Sequence, residues 1–63
     1  MPIIEMHLIE GCSNEEKERA CVALTNAAVD SLGVRREQVI ILIHDILRTS
    51  YSNGGVMVFK DKK

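Results

Sequence analysis

Residues 39–47 read Val-Ile-Ile-Leu-Ile-His-Asp-Ile-Leu, and this stretch decides the fold. It is apolar at almost every position, so it predicts a strand that buries side chains on both of its faces. Such a strand is typical of a sheet that is covered on both sides. Both faces of this sheet therefore need cover from other parts of the chain or from another chain.

A first strand and a helix precede this run. Residues 2–9 alternate and predict a strand. Its side chains divide into two faces, with Ile3, Glu5, His7 and Ile9 on one and Ile4, Met6 and Leu8 on the other. Ser13 and Glu16 have the spacing of a capping box, which predicts a helix over residues 14–32. Gly33 is expected to end that helix.

The predicted helix carries one apolar stripe. The stripe consists of Ala20, Cys21, Leu24, Ala27, Ala28 and Leu32. Small alanine side chains let a helix pack closely against a sheet. Val22 and Val29 are expected on the opposite side, either as scattered surface residues or as contacts to another subunit.

These elements predict an α/β subunit with a β-α-β unit whose parallel strands are joined by a right-handed crossover. One helix covers only one face of the sheet, so the other face has to be covered from outside the chain. The length of 63 residues, 46% of them hydrophobic, supports this, because one small domain spanning residues 1–63 buries little of its own surface. Tyr51 to Gly55 forms a turn cluster, and Val56 to Phe59 is expected to be a short closing strand in a hairpin or an arm.

Charge and cysteine content exclude several classes of partner. The net charge of −1 gives no basic surface for nucleic acid or anionic lipid. No apolar run is long enough to span a bilayer, and the N-terminus does not resemble a secretion signal. The two cysteines lack the spacing of a disulfide framework or a metal site, so a cytoplasmic location is expected.

Pro2 is the residue that points to chemistry. Proline is small enough at the second position for the initiator methionine to be removed, which would leave a free secondary amine on a rigid ring. Such an amine serves as a base once its proton affinity has been lowered. Apolar surroundings and nearby cations lower the pKa of an amine, and a base poised near the working pH is the most efficient.

The whole chain resembles the 4-oxalocrotonate tautomerase family. The similar segments are Pro2-Ile3-Ile4, residues 7–11, Ser13 to Lys17, the strand from Val39 to Ile43, and Gly54-Gly55. The resemblance implies dimers that share a four-stranded sheet, usually assembled into a hexamer. It also implies that Pro2 transfers a proton during enol-keto conversion of a small 2-hydroxydienoate or 2-keto acid. No cofactor is implied.

The chain departs from the family at the substrate site. The resemblance places two substrate-binding arginines at the positions of Cys12 and Ile40, and a pocket-closing phenylalanine at Tyr51. Ile40 and Tyr51 are then expected to form walls of the pocket. Arg48 is expected to be either a substitute anion holder or a solvent-facing cation. Cys12 is expected to be either a reactive thiol or a small filler. Losing both arginines should impair turnover of a diacid substrate, because charge-assisted hydrogen bonds are strong.

Three functions remain open from the sequence. The first is a tautomerase for a monoacid or neutral enol. The second is one subunit of a hetero-oligomer whose partner supplies the arginines. The third is a noncatalytic relative that assembles or binds a small ligand. No metal site is expected. Glu5 and His7 share a strand face but lack a convincing third ligand, and His44 is expected to be an interior or interface histidine.

Overall fold

One helix crosses over a parallel pair of strands in a computed structural model, which describes residues 1–57. Strand β1 spans Ile3–Ile9, helix α1 spans Asn14–Leu32, and strand β2 spans Ile40–Ile46. Two single 3-10 turns, Arg36–Gln38 and Arg48–Ser50, lie immediately before and after β2. The predicted β-α-β fold is confirmed.

The two strands start at the same end of the sheet and pair residue by residue. Ile3 lies opposite Ile40, and Ile9 lies opposite Ile46. Backbone hydrogen bonds extend the pairing past both ends of β1, where the Ile40 N–H donates to the Pro2 carbonyl (3.0 Å) and the Glu10 N–H donates to the Ile46 carbonyl (2.8 Å). The N-terminal segment is thus fixed to the first residue of β2.

Helix α1 has the bounds that its capping residues predict. The Ser13 hydroxyl accepts from the Glu16 N–H (3.1 Å), and the Glu16 carboxylate accepts from the Ser13 N–H (2.9 Å). Gly33 has a φ of 70°, and its N–H donates to the Val29 carbonyl (3.0 Å). An N-cap of this kind typically contributes about 1 kcal/mol, and the left-handed backbone at Gly33 favours glycine.

The side of α1 that faces the sheet is rotated from the predicted stripe. Ala28, 7% exposed, is the one buried hydrophobic residue in the described range. Ala20, Cys21 and Leu24 are half-buried, but Ala27 and Leu32 are exposed and Val29 is half-buried, so the prediction was wrong for these last three residues. Successive helical residues point about 100° apart, so a contact line through Ala28 turns Ala27 outward. Leu32 is the last residue of the helix.

The helix packs on one face of the sheet and is tied to it by an ion pair. Ile4, Met6 and Leu8 are half-buried beneath α1, and Lys17 Nζ lies 2.7 Å from an Asp45 carboxylate oxygen. The opposite face, called the open face below, presents Ile3, Ile40 and Leu42 to solvent in the single chain. This is the uncovered face that the sequence predicts.

A short hairpin follows β2. Strand β3 (Ser52–Asn53) pairs antiparallel with strand β4 (Val56–Met57) around Gly54-Gly55. Both glycines have positive φ, 65° and 86°, which a two-residue hairpin turn requires. The prediction of a closing hairpin is confirmed for Val56 and Met57, and its last two residues lie outside the described range.

In the part of the chain that the structure describes, no helix combines the length and the apolar character that crossing a membrane requires.

Candidate active site

Pro2 lies at the start of the sheet, directly before β1. The residue is half-buried, and its carbonyl is held by the Ile40 N–H. Met1 precedes it and is 79% exposed. While Met1 is present, the Pro2 nitrogen is an amide without basic character, so any proton transfer by this nitrogen requires removal of Met1.

Ile40 is the one predicted site residue that the single chain brings beside Pro2. It begins β2 and lies opposite Ile3, on the open face. Ile3 and Ile4 follow Pro2 directly along β1. The beginning of the sheet is therefore rich in branched aliphatic side chains, which is the environment that favours a neutral amine.

Cys12, Arg48 and Tyr51 lie at the opposite end of the strands. Cys12 is exposed and immediately precedes the helix cap, and Tyr51 follows the 3-10 turn after β2. The Arg48 N–H donates to the Glu10 carboxylate (3.0 Å), which ties this turn to the end of β1. Three of the five predicted site residues are thus grouped around the far end of the sheet.

The length of the strands separates these two groups. Strand β1 has seven residues, and a strand rises about 3.3 Å per residue, so its two ends lie roughly 20 Å apart. One chain therefore does not bring Pro2 together with Cys12, Arg48 or Tyr51. The pattern of apolar residues did not reveal this separation. The parallel crossover nevertheless implies it, because both strands run in the same direction and therefore begin at the same end of the sheet.

The three arginines around β2 differ in their surroundings. Arg35 Nε lies 3.8 Å from a Glu37 carboxylate oxygen, and the Arg36 guanidinium donates to the Asn26 side chain (2.7 Å). Within residues 1–57, the Arg48 guanidinium makes neither an ion pair nor a side-chain hydrogen bond.

One concave surface of the single chain lies away from Pro2. A shallow groove of about 530 Å³ runs along the outer side of α1. Its walls come from Glu15, Glu18, Arg19, Val22, Ala23 and Asn26. All of these belong to one helix, so the groove shares no residue with the predicted pocket.

The two histidines meet on the open face, which the sequence analysis missed. His7 lies opposite His44, and their rings stack with centroids 4.6 Å apart and planes 15° from parallel. The Glu5 carboxylate lies 3.8 Å from His7 Nε2. The signal was available, because each histidine stands four residues after the first residue of its strand.

Known proteins match almost the whole chain. The family model described as tautomerase enzyme matches residues 2–61. A structure of the 4-oxalocrotonate tautomerase isozymes from Methylibium petroleiphilum is 40% identical, with a TM-score of 0.90 over 95% of this chain and 94% of that one. A heterohexamer 4-oxalocrotonate tautomerase from Chloroflexus aurantiacus is 26% identical, with a TM-score of 0.90 over 98% and 100% of the two chains.

A further relative comes from Comamonas testosteroni. It is named 2-hydroxymuconate tautomerase and is 30% identical over 56 residues, which are 89% of this chain and 89% of the relative. The similarity thus extends over the strands, the helix and the segment that begins with Pro2. Since a family model and full-length relatives agree with the β-α-β fold, this chain belongs to the tautomerase family.

Proposed function

We propose that this protein is a tautomerase that moves a proton between oxygen and carbon of a small 2-hydroxydienoate or 2-keto acid, with the Pro2 amine as general base and acid. The observation that carries the proposal is a half-buried proline, fixed at the start of the sheet directly behind Met1, in a chain of this family. The family resemblance implies such transfers by this proline, and this chain retains the proline, although Cys12 and Ile40 stand at the two arginine positions.

The proposed reaction is balanced without a cofactor. The neutral amine takes the proton of the 2-hydroxyl group, the electrons of the resulting enolate move through the conjugated double bonds, and the ammonium returns the proton to carbon. The product is the conjugated ketone. The branched side chains of Ile3, Ile4 and Ile40 disfavour the ammonium form of Pro2, which keeps the base available.

A second copy of the chain completes the proposed pocket. Sheet edges joined by a two-fold axis perpendicular to the sheet run antiparallel, so the beginning of one subunit's sheet meets the far end of the other's. This arrangement places Pro2 and Ile40 of one subunit near Cys12, Arg48 and Tyr51 of the second. It also fits the heterohexamer described for the Chloroflexus aurantiacus relative, and we propose a hexamer made of three such dimers.

The proposed substrate carries one carboxylate. The relatives' names refer to 4-oxalocrotonate and 2-hydroxymuconate, which are diacids, whereas Cys12 and Ile40 stand where the family resemblance places arginines. In this chain Arg48 is the proposed anion holder, Tyr51 closes the pocket, and Cys12 leaves room without adding charge. A monoacid enol fits this set of side chains better than a diacid.

Replacing Arg48 by glutamine should lower kcat/KM for a monoacid enol, mainly through a higher KM. A charge-assisted hydrogen bond contributes about 1.5–3 kcal/mol, so the loss is expected to be roughly ten- to hundredfold. Initial rates measured by ultraviolet absorbance over a range of substrate concentrations give both constants. Arg35→Gln is the matched control, since Arg35 lies 3.8 Å from Glu37, and its rates should stay unchanged. Equal effects of the two substitutions would remove Arg48 from the site.

Untagged protein should have an intact mass lower than that of the 63-residue chain by one methionine residue. Proline is small enough at the second position for Met1 to be removed, and the Pro2 nitrogen becomes an amine only when Met1 is gone. A matched sample that keeps an N-terminal extension should assemble normally and show no isomerisation above background. Full activity of the extended protein would contradict the proposed mechanism.

A hetero-oligomer is the second candidate. It is favoured by the heterohexamer relative together with the two substituted arginine positions, because a partner subunit would supply the missing guanidinium groups. Diacid isomerisation that appears only after mixing with a second family member would support this candidate. A noncatalytic role is favoured if the assembled, Met1-free protein converts no enol under either condition.

A further inference from the structure

Glu5, His7 and His44 form a triangle on the open face of the sheet. Glu5 and His7 stand two residues apart on β1, and His44 lies directly opposite His7 on β2. One oxygen of Glu5 and one ring nitrogen of each histidine lie within 4.8 Å of one another. We propose that these three side chains bind a divalent cation of the zinc class.

Rotation of the two imidazoles out of their stacked arrangement completes the proposed site, because a metal ion lies in the plane of each ring that binds it. Zinc–ligand distances near 2.0–2.1 Å place ligand atoms roughly 3.4 Å apart in tetrahedral geometry, somewhat closer than they lie here. All three side chains are exposed in the single chain. The two paired strands meanwhile hold the three backbone positions in register.

Within residues 1–57, the polar atoms of the triangle have no protein partner closer than the long Glu5–His7 ion pair. The 3.8 Å separation of Glu5 and His7 exceeds hydrogen-bond distance, and within residues 1–57 neither imidazole makes a hydrogen bond. The rest of the open face is largely apolar, as Ile3 and Leu42 show. When further copies of the chain cover this face, a carboxylate and two imidazoles lose water, and a bound cation offsets that cost.

The donor set selects the class of cation. Neutral imidazole is a good ligand for Zn²⁺, Ni²⁺ and Cu²⁺, whereas Mg²⁺ and Ca²⁺ prefer sites made of oxygen atoms. Two histidines and one glutamate also leave a coordination position open for water. The triangle lies in the middle of the strands and contains no residue of the proposed tautomerase site, so binding of the cation does not depend on Pro2.

Calorimetric titration tests the assignment. Untagged, assembled protein is first treated with a chelator that is then removed, and Zn²⁺ or Mg²⁺ is titrated in. One Zn²⁺ per chain is expected, at an affinity at least about tenfold above that for Mg²⁺. His44→Asn, His7→Asn and Glu5→Gln should each weaken Zn²⁺ binding at least about tenfold, since loss of mere outer-shell partners already costs that much.

Two control variants separate this site from other donors. Glu37→Gln removes an exposed carboxylate outside the triangle, and Cys12→Ser removes the exposed thiol. Both should bind Zn²⁺ as the native protein does. Unchanged binding by the double variant His7→Asn/His44→Asn, or fewer than one Zn²⁺ per chain at saturation, would overturn the proposal.

A spectroscopic measurement decides the matter if a histidine variant fails to assemble. The ring C–H resonances of His7 and His44 in the native protein should both shift when Zn²⁺ is added, and should return when a chelator removes the metal. Addition of Mg²⁺ should leave them in place. Resonances that do not respond to Zn²⁺ would overturn the proposal independently of any substitution.

Discussion

Replacing Pro2 by alanine in protein that has lost Met1 is expected to lower kcat/KM for enol-keto conversion by about 10²–10⁴-fold, the usual contribution of a positioned general base or acid. Alanine is also small, so Met1 is removed from this variant as from the native chain. The native protein then has a rigid secondary amine at its N-terminus, and the variant has a flexible primary amine. Ultraviolet assays of ketonisation at several substrate concentrations measure the effect.

Helix content and oligomer size should be the same for native protein and Pro2→Ala, because the hydrogen bond from Ile40 is to the Pro2 carbonyl, which alanine retains. A low rate in a correctly assembled variant then reports on the amine. Equal rates in the two proteins would remove the proline mechanism and leave the family fold without its proposed base.

Mixing experiments extend this result to the shared pocket. Pro2→Ala removes the proposed base at one end of the sheet. Arg48→Gln/Tyr51→Ala removes proposed substrate contacts at the other end, roughly 20 Å away in the same chain. Unfolding and refolding the two inactive proteins together should restore about a quarter of the sites, if each site draws one end from each of two symmetric subunits. No recovery from correctly assembled mixtures would place all the catalytic groups within one chain.

The helix was predictable from sequence because its limits are set by local interactions. Ser13 and Glu16 bond to each other across one turn, and Gly33 ends the helix through its own backbone conformation. The residues between them decide which side faces the sheet, and there the prediction of Ala27, Leu32 and Val29 was wrong. Helical rotation depends on packing against strands that are distant in sequence, which the pattern of apolar residues records only coarsely.

The two long strands, β1 and β2, were predictable to within a residue at their ends, whereas β3 lies in residues that were predicted to form a turn. Strand β2 is shorter than the apolar run, because the Val39 N–H donates to the Arg36 carbonyl and so closes a 3-10 turn, and Leu47 precedes the next such turn. Neither turn has a distinctive sequence signal. Apolar character alone extends the predicted strand into residues whose backbone hydrogen bonds are local.

The functional residues were less predictable than the fold, because their relations depend on register and on a second chain. Pro2 stood out through its position in the sequence, and the geometry beside Ile40 follows from parallel pairing. Arg48 and Tyr51 lie far from Pro2 in one chain, so a single subunit does not contain all of these residues in one place. The His7–His44 contact needed the register of β1 against β2 before it became visible.

Replacing Leu42 by lysine is expected to weaken assembly strongly, and with it the stability of the folded state. Leu42 is 43% exposed on the open face and lies opposite Glu5 on the neighbouring strand. In a single chain, lysine beside Glu5 forms a cross-strand pair of opposite charge, which is neutral or mildly favourable. In an assembly that covers the open face, the same ammonium group loses water, which costs several kcal/mol per subunit.

Folding is expected to depend on assembly because the single chain has almost no core. Ala28 is the one buried hydrophobic residue among residues 1–57, and alanine contributes little apolar area. Native protein should therefore show a Tm that rises with protein concentration, as expected when association stabilises the fold. Leu42→Lys should lower that Tm by at least roughly 10 °C, since 1 kcal/mol corresponds to about 4–8 °C in a domain of this size.

Light scattering after size-exclusion chromatography and thermal denaturation at several protein concentrations measure both effects. Leu42→Met preserves volume and apolar character and should assemble like the native chain, which separates the effect of charge from that of any substitution at this position. A native protein that remains a folded monomer with a Tm independent of concentration would contradict the argument. The open face would then be a true surface, and the two ends of the sheet would have no second copy through which to meet.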